Sequence, residues 1–131
     1  MKFEDFGVSN NAPNNDCAPS EALIRRVQKA RNLKANFFGG DLFADPAWDM
    51  LLELYACWLT QQRISISGTC AAAGVPPTTA LRWIAVLEER NLATREDDPL
   101  DRRRVWISIT SQGASLMHRY FTSTPVASLI L

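Results

Sequence analysis

The stretch SGTCAAAGVPPTTALRWIAVLEERNL, residues 67–92, decides the fold. Its pattern predicts a short helix over roughly 66–73, a break at Gly74-Val75-Pro76, and a longer helix from Pro77 to about Arg90. Glycine and proline end the first helix, whereas a proline at the first helical position costs no hydrogen bond. Two helices joined by so tight a turn predict a helix-turn-helix motif. The longer helix is amphipathic, and its apolar pattern is predicted to comprise Leu81, Ile84, Ala85 and Leu87.

The residues that follow this motif predict a β-hairpin. Leu92 to Arg95 reads as one strand, and the alternating, β-branched Val105 to Ile109 reads as its partner. The polar, proline-containing segment from Glu96 to Asp101 is predicted to be the loop. A helix-turn-helix followed directly by a two-stranded ribbon predicts a mainly α chain with a small β-hairpin wing, the winged helix-turn-helix.

The flanking segments predict further helices. Ser20 caps a first helix whose apolar residues recur at three- and four-residue steps, and Asp45-Pro46 starts a second helix to about Gln61. A brief extended piece lies at 63–66. Thr110 caps a last helix, which Pro125 ends or kinks. Residues 1–18 are polar and are predicted to form a flexible tail, which leaves 19–131 as the folded domain.

Composition narrows the class of protein. The chain has 131 residues, 14 basic and 14 acidic side chains, and a net charge of zero. It contains no run of about 18 apolar residues and no basic-then-apolar start, so we expect neither a membrane span nor a signal peptide, and we expect a cytoplasmic protein. The charge is blocked: residues 41–60 hold four acidic and no basic side chains, whereas Arg102-Arg103-Arg104 are consecutive.

The start of the second motif helix carries the candidate DNA-reading residues. In a helix-turn-helix these N-terminal positions reach base edges in the major groove, which here means Pro77, Thr78, Thr79 and Arg82. Threonine approaches closely and contacts phosphates or thymine methyl groups, and arginine pairs with guanine or a phosphate. The alternative is that Thr78 or Thr79 only caps the helix and that Arg82 is a solvated surface residue.

The predicted wing carries the candidate backbone contacts. Arg102, Arg103 and Arg104 form a local positive charge suited to phosphates and narrow minor grooves, and Asp101 is predicted to orient one of them through a fork-like pair. The alternative is a self-neutralising surface loop, because acidic residues adjoin. A basic wing that docks an acidic protein, without a DNA target, is the alternative function.

The same residues resemble a known family. GVPPTT at 74–79 with Arg82, LEERNL at 87–92, DPLDRR at 98–103 and ISITSQG at 107–113 are similar to the motifs of MarR-family transcriptional regulators. The resemblance implies a homodimer that reads a pseudo-palindromic operator on double-stranded DNA, with a small-molecule effector of unknown identity. It departs at Asn91, where the family commonly has glycine; asparagine also accepts the left-handed conformation. The C-terminal portion is short for the family.

In that family the N- and C-terminal helices form the dimer interface. The first helix of this chain has an apolar stripe that something must cover, and the chain ends in Leu-Ile-Leu. The predicted interface residues are Leu23, Val27, Ala30, Leu33, Tyr120, Phe121 and Leu129.

Other chemistry is not indicated. No nucleophile elbow, P-loop or dinucleotide motif occurs, so we expect no catalytic residues, no cofactor and no enzyme. With one histidine, His118, and no CxxC, we expect no metal site. Cys57 and Cys70 are predicted core residues. Cys17, in the polar tail, is the candidate for a redox role, although no helix start or basic cluster adjoins it to activate its thiol.

Overall fold

The computed structural model describes residues 19–130, so the predicted tail at 1–18, with Cys17, and Leu131 lie outside the described residues. The helices and strands, in chain order, are α1 (Glu21–Phe38), α2 (Pro46–Thr60), β1 (Ile64–Ser65), α3 (Ile66–Ala73), α4 (Pro77–Glu89), β2 (Ala93–Asp97), β3 (Val105–Ile109), α5 (Ser111–Thr122) and α6 (Thr124–Ile130). The last predicted helix is therefore two helices, because the break falls at Ser123, where the backbone is extended, two residues before the proline.

The helix starts follow the predicted caps. The hydroxyl of Ser20 accepts a hydrogen bond from the Leu23 amide, and the carboxylate of Asp45 is positioned to accept one from Trp48. Thr110 caps α5 by accepting from the Gly113 amide at 2.9 Å. These side chains satisfy amide groups that have no partner within the first turn of a helix.

Opposite charges on α1 and α2 face each other. Arg25 donates to Glu21 on its own helix and to Glu53 on α2, each at 2.7 Å. Arg31 pairs with Asp49, also on α2. Burial acts to raise the pKa of Glu53, but the hydrogen bonds from Arg25 and Gln28 together outweigh it, so the pKa is lowered. Residues 21–40, which hold five basic side chains and one acidic one, and the acidic block at 41–60 therefore partly neutralise each other inside the fold.

The sheet has three antiparallel strands in the order β1-β3-β2. The two-residue β1 pairs with β3 through Ser65 and Trp106, which adds a strand to the predicted two-stranded ribbon. Strand β2 is also longer than predicted: the ladder continues until Asp97 lies opposite Val105. Glu96 and Asp97, predicted as loop, therefore belong to the strand, since backbone pairing with β3 outweighs their low strand propensity.

The core lies between α2, the motif helices and β3. Its largest fully buried side chains include Tyr55, Leu52, Ile84 and Ile109. Cys57 and Cys70 are buried as predicted, and burial raises the pKa of the Cys57 thiol to about 11. On α1 the fully buried residue is Ile24, which lies beside the predicted stripe.

The turn after α4 is closed by a tight junction with α5. Asn91 adopts the left-handed conformation predicted for it, with φ of 61°, and the Leu92 amide donates to the Leu87 carbonyl at 2.8 Å. The Thr110 hydroxyl donates to the Asn91 carbonyl at 2.8 Å. A Cβ at Gly113 would lie 2.8 Å from the Leu92 carbonyl oxygen, so this position requires glycine. The junction holds the end of α4 against the start of α5.

Candidate nucleic-acid interface

The first turn of α4 leaves its polar groups unused. Pro76 is the cap position and no side chain caps the helix, so the alternative in which a threonine caps α4 is wrong. Thr78 and Arg82 are exposed and Thr79 is half-buried. Within the part of the chain that the structure describes, none of these three side chains makes a hydrogen bond or ion pair. They remain available to a ligand.

The available groups share one face of α4. Ala80, Ile84 and Leu87 are buried and anchor the opposite face in the core. Steps of three and four residues then place Thr78, Arg82 and Ala85 along the outward face. Leu81 and Ala85, predicted as part of the apolar pattern, are exposed instead, and Leu81 keeps 45% of its surface. The core therefore covers only part of the apolar face that the sequence pattern of α4 predicted.

Two aspartates shape the wing loop between β2 and β3. The buried carboxylate of Asp98 accepts from the Leu100 amide at 2.9 Å, and that of Asp101 accepts from the Arg103 amide at 3.0 Å. The Arg104 amide donates to the Asp101 carbonyl at 3.0 Å. These local hydrogen bonds stabilise the loop beyond Asp97 and Val105, where the strand pairing ends. Two hydrogen bonds from Arg103 lower the pKa of the Asp101 carboxyl, and the one from the backbone amide has the larger effect.

The three wing arginines differ in their partners. Arg103 lies 3.2 Å from Asp101 with 91% of its side chain exposed, and Arg104 lies 3.7 Å from both Asp98 and Asp101. Asp101 is therefore shared between two arginines and does not form the predicted fork-like pair with one. Arg102 is exposed and makes no ion pair among the described residues. The alternative of a self-neutralising loop therefore holds for Arg103 and Arg104. It does not hold for Arg102, whose charge no acidic side chain within residues 19–130 neutralises.

A fourth arginine joins the wing through an aromatic ring. The guanidinium of Arg104 lies 5.0 Å from the centroid of Trp106, and that of Arg63 lies 5.3 Å from the same ring. Both distances suit a cation–π contact. Sequence reasoning missed Arg63 because it lies far from the wing along the chain, and the pairing of β1 with β3 brings it there. The signal available in the sequence was an arginine at the start of the predicted extended piece at 63–66.

A bidentate ion pair connects the wing to α4. Arg95 of β2 donates to both carboxylate oxygens of Glu88 at 2.7 and 2.8 Å. The hydrogen bonding between the two side chains lowers the pKa of Glu88 and raises the pKa of Arg95. Parallel bonds of this kind fix orientation as well as distance. The pair therefore positions the wing relative to the helix, although neither residue was predicted to have a role.

Two surface cavities show that the wing and α4 share a face. The first, the wing-base cleft, has a volume of about 600 Å³ and is lined by Ser65, Ile66, Ser67, Asp101, Arg103, Arg104, Val105 and Trp106. The second, the α3–α4 groove, has a volume of about 390 Å³ and is lined by Ile66, Ser67, Cys70, Ala71, Val75, Pro77 and Leu81. Because Ile66 and Ser67 line both, the surface runs without interruption from the wing arginines to the start of α4.

The predicted dimer residues fall into two groups. Ala30, Leu33, Tyr120 and Leu129 are exposed, and Leu23 is half-buried. Val27 packs against the core, and Phe121 is 4% exposed and stacks on Trp48 at a centroid distance of 6.0 Å. The assignment of Phe121 to an interface is therefore corrected, because its ring fills the core of its own chain.

Residues 19–130 contain neither a metal-binding cluster nor a single membrane-spanning helix, and they form one further large cavity. No group of three or more His, Cys, Asp and Glu side chains in this range is arranged to hold a metal ion. No single helix in it is long and apolar enough to cross a membrane; α3 and α4 pass that criterion only as a pair bent by 109°. A third cavity, of about 530 Å³, lies between α2 and β3 and is lined by Leu54, Cys57, Trp58, Leu59, Gln61, Gln62, Ile107 and Ser108.

The fold is similar to solved structures of MarR-family regulators. S. aureus MepR in its DNA-binding conformation is 22% identical with a TM-score of 0.56, over 81% of this chain and 72% of MepR. The S. aureus MepR–DNA complex is 22% identical with a TM-score of 0.55, over 83% and 82%. Bordetella bronchiseptica BpsR, whose DNA binding 6-hydroxynicotinic acid regulates, is 22% identical with a TM-score of 0.51, over 91% and 81%. No family model matches the sequence, and no curated protein matches it. The predicted MarR-like winged-helix fold is confirmed.

Proposed function

We propose that this chain, which has the MarR-like winged-helix fold, is a sequence-specific transcriptional regulator that binds double-stranded DNA as a homodimer. One observation carries the proposal: Thr78, Thr79 and Arg82 lie at an uncapped helix start without partners in the described part of the chain, on the face that continues to the wing. Its fold is shared with the MepR–DNA complex.

The proposed contacts follow from the chemistry of each side chain. Helix α4 enters the major groove, where the threonines approach closely and Arg82 pairs with a guanine edge or a phosphate. Arg102, which has no acidic partner among residues 19–130, binds a phosphate or the minor groove at the wing. Arg103 and Arg104 exchange part of their pairing with Asp98 and Asp101 for phosphate contacts. Phosphate contacts set the register, and α4 supplies the sequence preference.

The test is selection of bound duplexes from a random DNA library at physiological salt. The expected result is a pseudo-palindromic consensus with half-sites about one helical turn apart. Arg82→Ala should weaken binding to that consensus by about 1–3 kcal/mol and relax one base position. Arg90→Ala is the matched control, since it removes the same charge from an exposed site at the far end of α4, away from the proposed dimer face of α1. An unenriched library, or equal losses in both variants, contradicts the proposal.

We infer the homodimer from exposed apolar side chains on α1 and the turn after it. Phe37 keeps 74% of its surface, and Leu33, Phe38, Leu42 and Phe43 are also exposed. A patch of this kind marks a protein interface. Light scattering should give twice the 14.6 kDa chain mass, and Leu33→Ser with Phe37→Ser should give the monomer. A wild-type monomer at micromolar concentration contradicts the inference.

One observation favours the alternative function, a module that docks an acidic protein. Leu100 at the wing loop is 95% exposed beside the arginines, so the wing presents an apolar group together with its basic ones. The DNA selection separates the two functions, since a docking module enriches no consensus. The effector stays a prediction, and the cavity between α2 and β3 is its candidate site.

A further inference from the structure

The α3–α4 groove is an apolar surface at the start of the proposed reading helix. Its walls are almost free of polar side chains, with Leu81 and Pro77 on the α4 side and Ala71 and Val75 on the other. Leu81 is not needed to fill the core, because Ala80 and Ile84 occupy the buried face of α4. An exposed leucine next to Arg82 is therefore unexplained by packing.

The groove is continuous with the proposed DNA-binding face. Ile66 and Ser67 line both the groove and the wing-base cleft that contains Arg103 and Arg104. Arg82, the next residue along α4, is exposed and has no partner among the described residues. A DNA duplex held by these arginines would lie over Leu81. The floor of the DNA major groove would then face this part of the protein's α3–α4 groove.

We propose that Leu81, with Pro77 beside it, contacts the C5-methyl group of thymine and so makes thymine a required base of each half-site. The inference rests on the proposed function and specifies its sequence preference. In the major groove thymine is the base that presents a methyl group, and an apolar side chain is its natural partner. Thr78 and Arg82 take the neighbouring polar base edges, which an apolar groove does not satisfy.

The experiment replaces thymine by deoxyuridine, one position at a time, in the duplex selected from the random library. Uracil pairs as thymine does and lacks only the methyl group. Wild-type protein should bind about fourfold more weakly when the contacted thymine is replaced in one half-site, and about fifteenfold more weakly when it is replaced in both. For Leu81→Ala the same replacements should change the dissociation constant less than about twofold, since the apolar contact is already gone.

Leu100→Ala is the matched control. It shortens a more exposed leucine, on the wing, and it should keep the full uracil effect, because the minor groove carries no methyl group. Leu81→Ala should melt close to the wild type by circular dichroism, since Leu81 is half exposed. Wild-type binding that ignores uracil at every position overturns the inference, as does an equal uracil effect in wild type and Leu81→Ala. A library without enrichment is a different result, which overturns the proposed function and the inference together.

Discussion

Arg102 gives the sharpest test of the proposed DNA contacts. It is exposed and has no ion pair within residues 19–130, whereas Arg25 and Arg31 are engaged with acidic residues between α1 and α2. A protein that neutralises a phosphate releases counterions, and each contact contributes about 0.9 to the slope of log affinity against log salt concentration. In the proposed homodimer, Arg102→Ala removes two of the proposed phosphate contacts, so the slope should become shallower by about 1.8.

The predicted size is large enough to measure by fluorescence anisotropy. Between about 50 mM and about 200 mM salt, the affinity advantage of wild type over Arg102→Ala should shrink about twelvefold. Arg90→Ala, with the same change in net charge at the far end of α4, should keep the wild-type slope. Equal slopes for wild type and Arg102→Ala would refute the reasoning, and so would an equal change in Arg90→Ala, because net charge would then explain the effect without the wing.

Three further outcomes test the fold and its ion pairs. Gly113→Ala should lower the free energy of unfolding by about 1–3 kcal/mol in urea, because its Cβ would lie 2.7 Å from a buried side-chain carbon; Gly40→Ala, with no atom within 4 Å, should be near neutral. Glu88→Gln should be less stable than wild type at neutral pH. The pKa of Glu88 in the folded state lies below its ordinary 4.5, so its contribution to stability is present above that pH and is lost as the pH falls further. The melting temperatures of the two proteins should therefore converge in acid, and a constant gap contradicts this. Cys57, whose pKa is raised to about 11, should resist iodoacetamide at pH of about 8 in native protein and react once urea unfolds it; fast native labelling contradicts its burial.

Local chemistry was enough to predict most elements. The helix starts at Asp45-Pro46 and Thr110 depend on the cap residue itself, and the break at Gly74 depends on a backbone conformation that glycine adopts without strain, here with φ of 65°. Asn91 follows the same rule. These features involve residues within four positions of each other, so the sequence pattern contains the information they need.

Burial on α1 and α5 was less predictable. The periodic pattern on α1 correctly indicated an amphipathic helix but not which side faces α2, where Ile24 is buried and Leu33 is not. Phe121 and Tyr120 are adjacent aromatic residues that both contact Trp48 on α2, and only their burial in the folded chain, 4% exposed against 47%, shows that Phe121 is the buried one. The side of a helix that is covered depends on neighbours distant in the chain.

The winged helix-turn-helix, its turn and the three consecutive arginines can be read from the sequence, because each is a local property of adjacent residues. Which charges remain free is a tertiary property. Folding pairs Arg25 and Arg31 with acidic residues of α2, ties Arg95 to α4 through Glu88, and brings Arg63 to the wing through Trp106. A charge count sums to zero wherever the charges lie, whereas Coulomb attraction depends on distance, so only the folded chain separates paired arginines from those that can meet a phosphate.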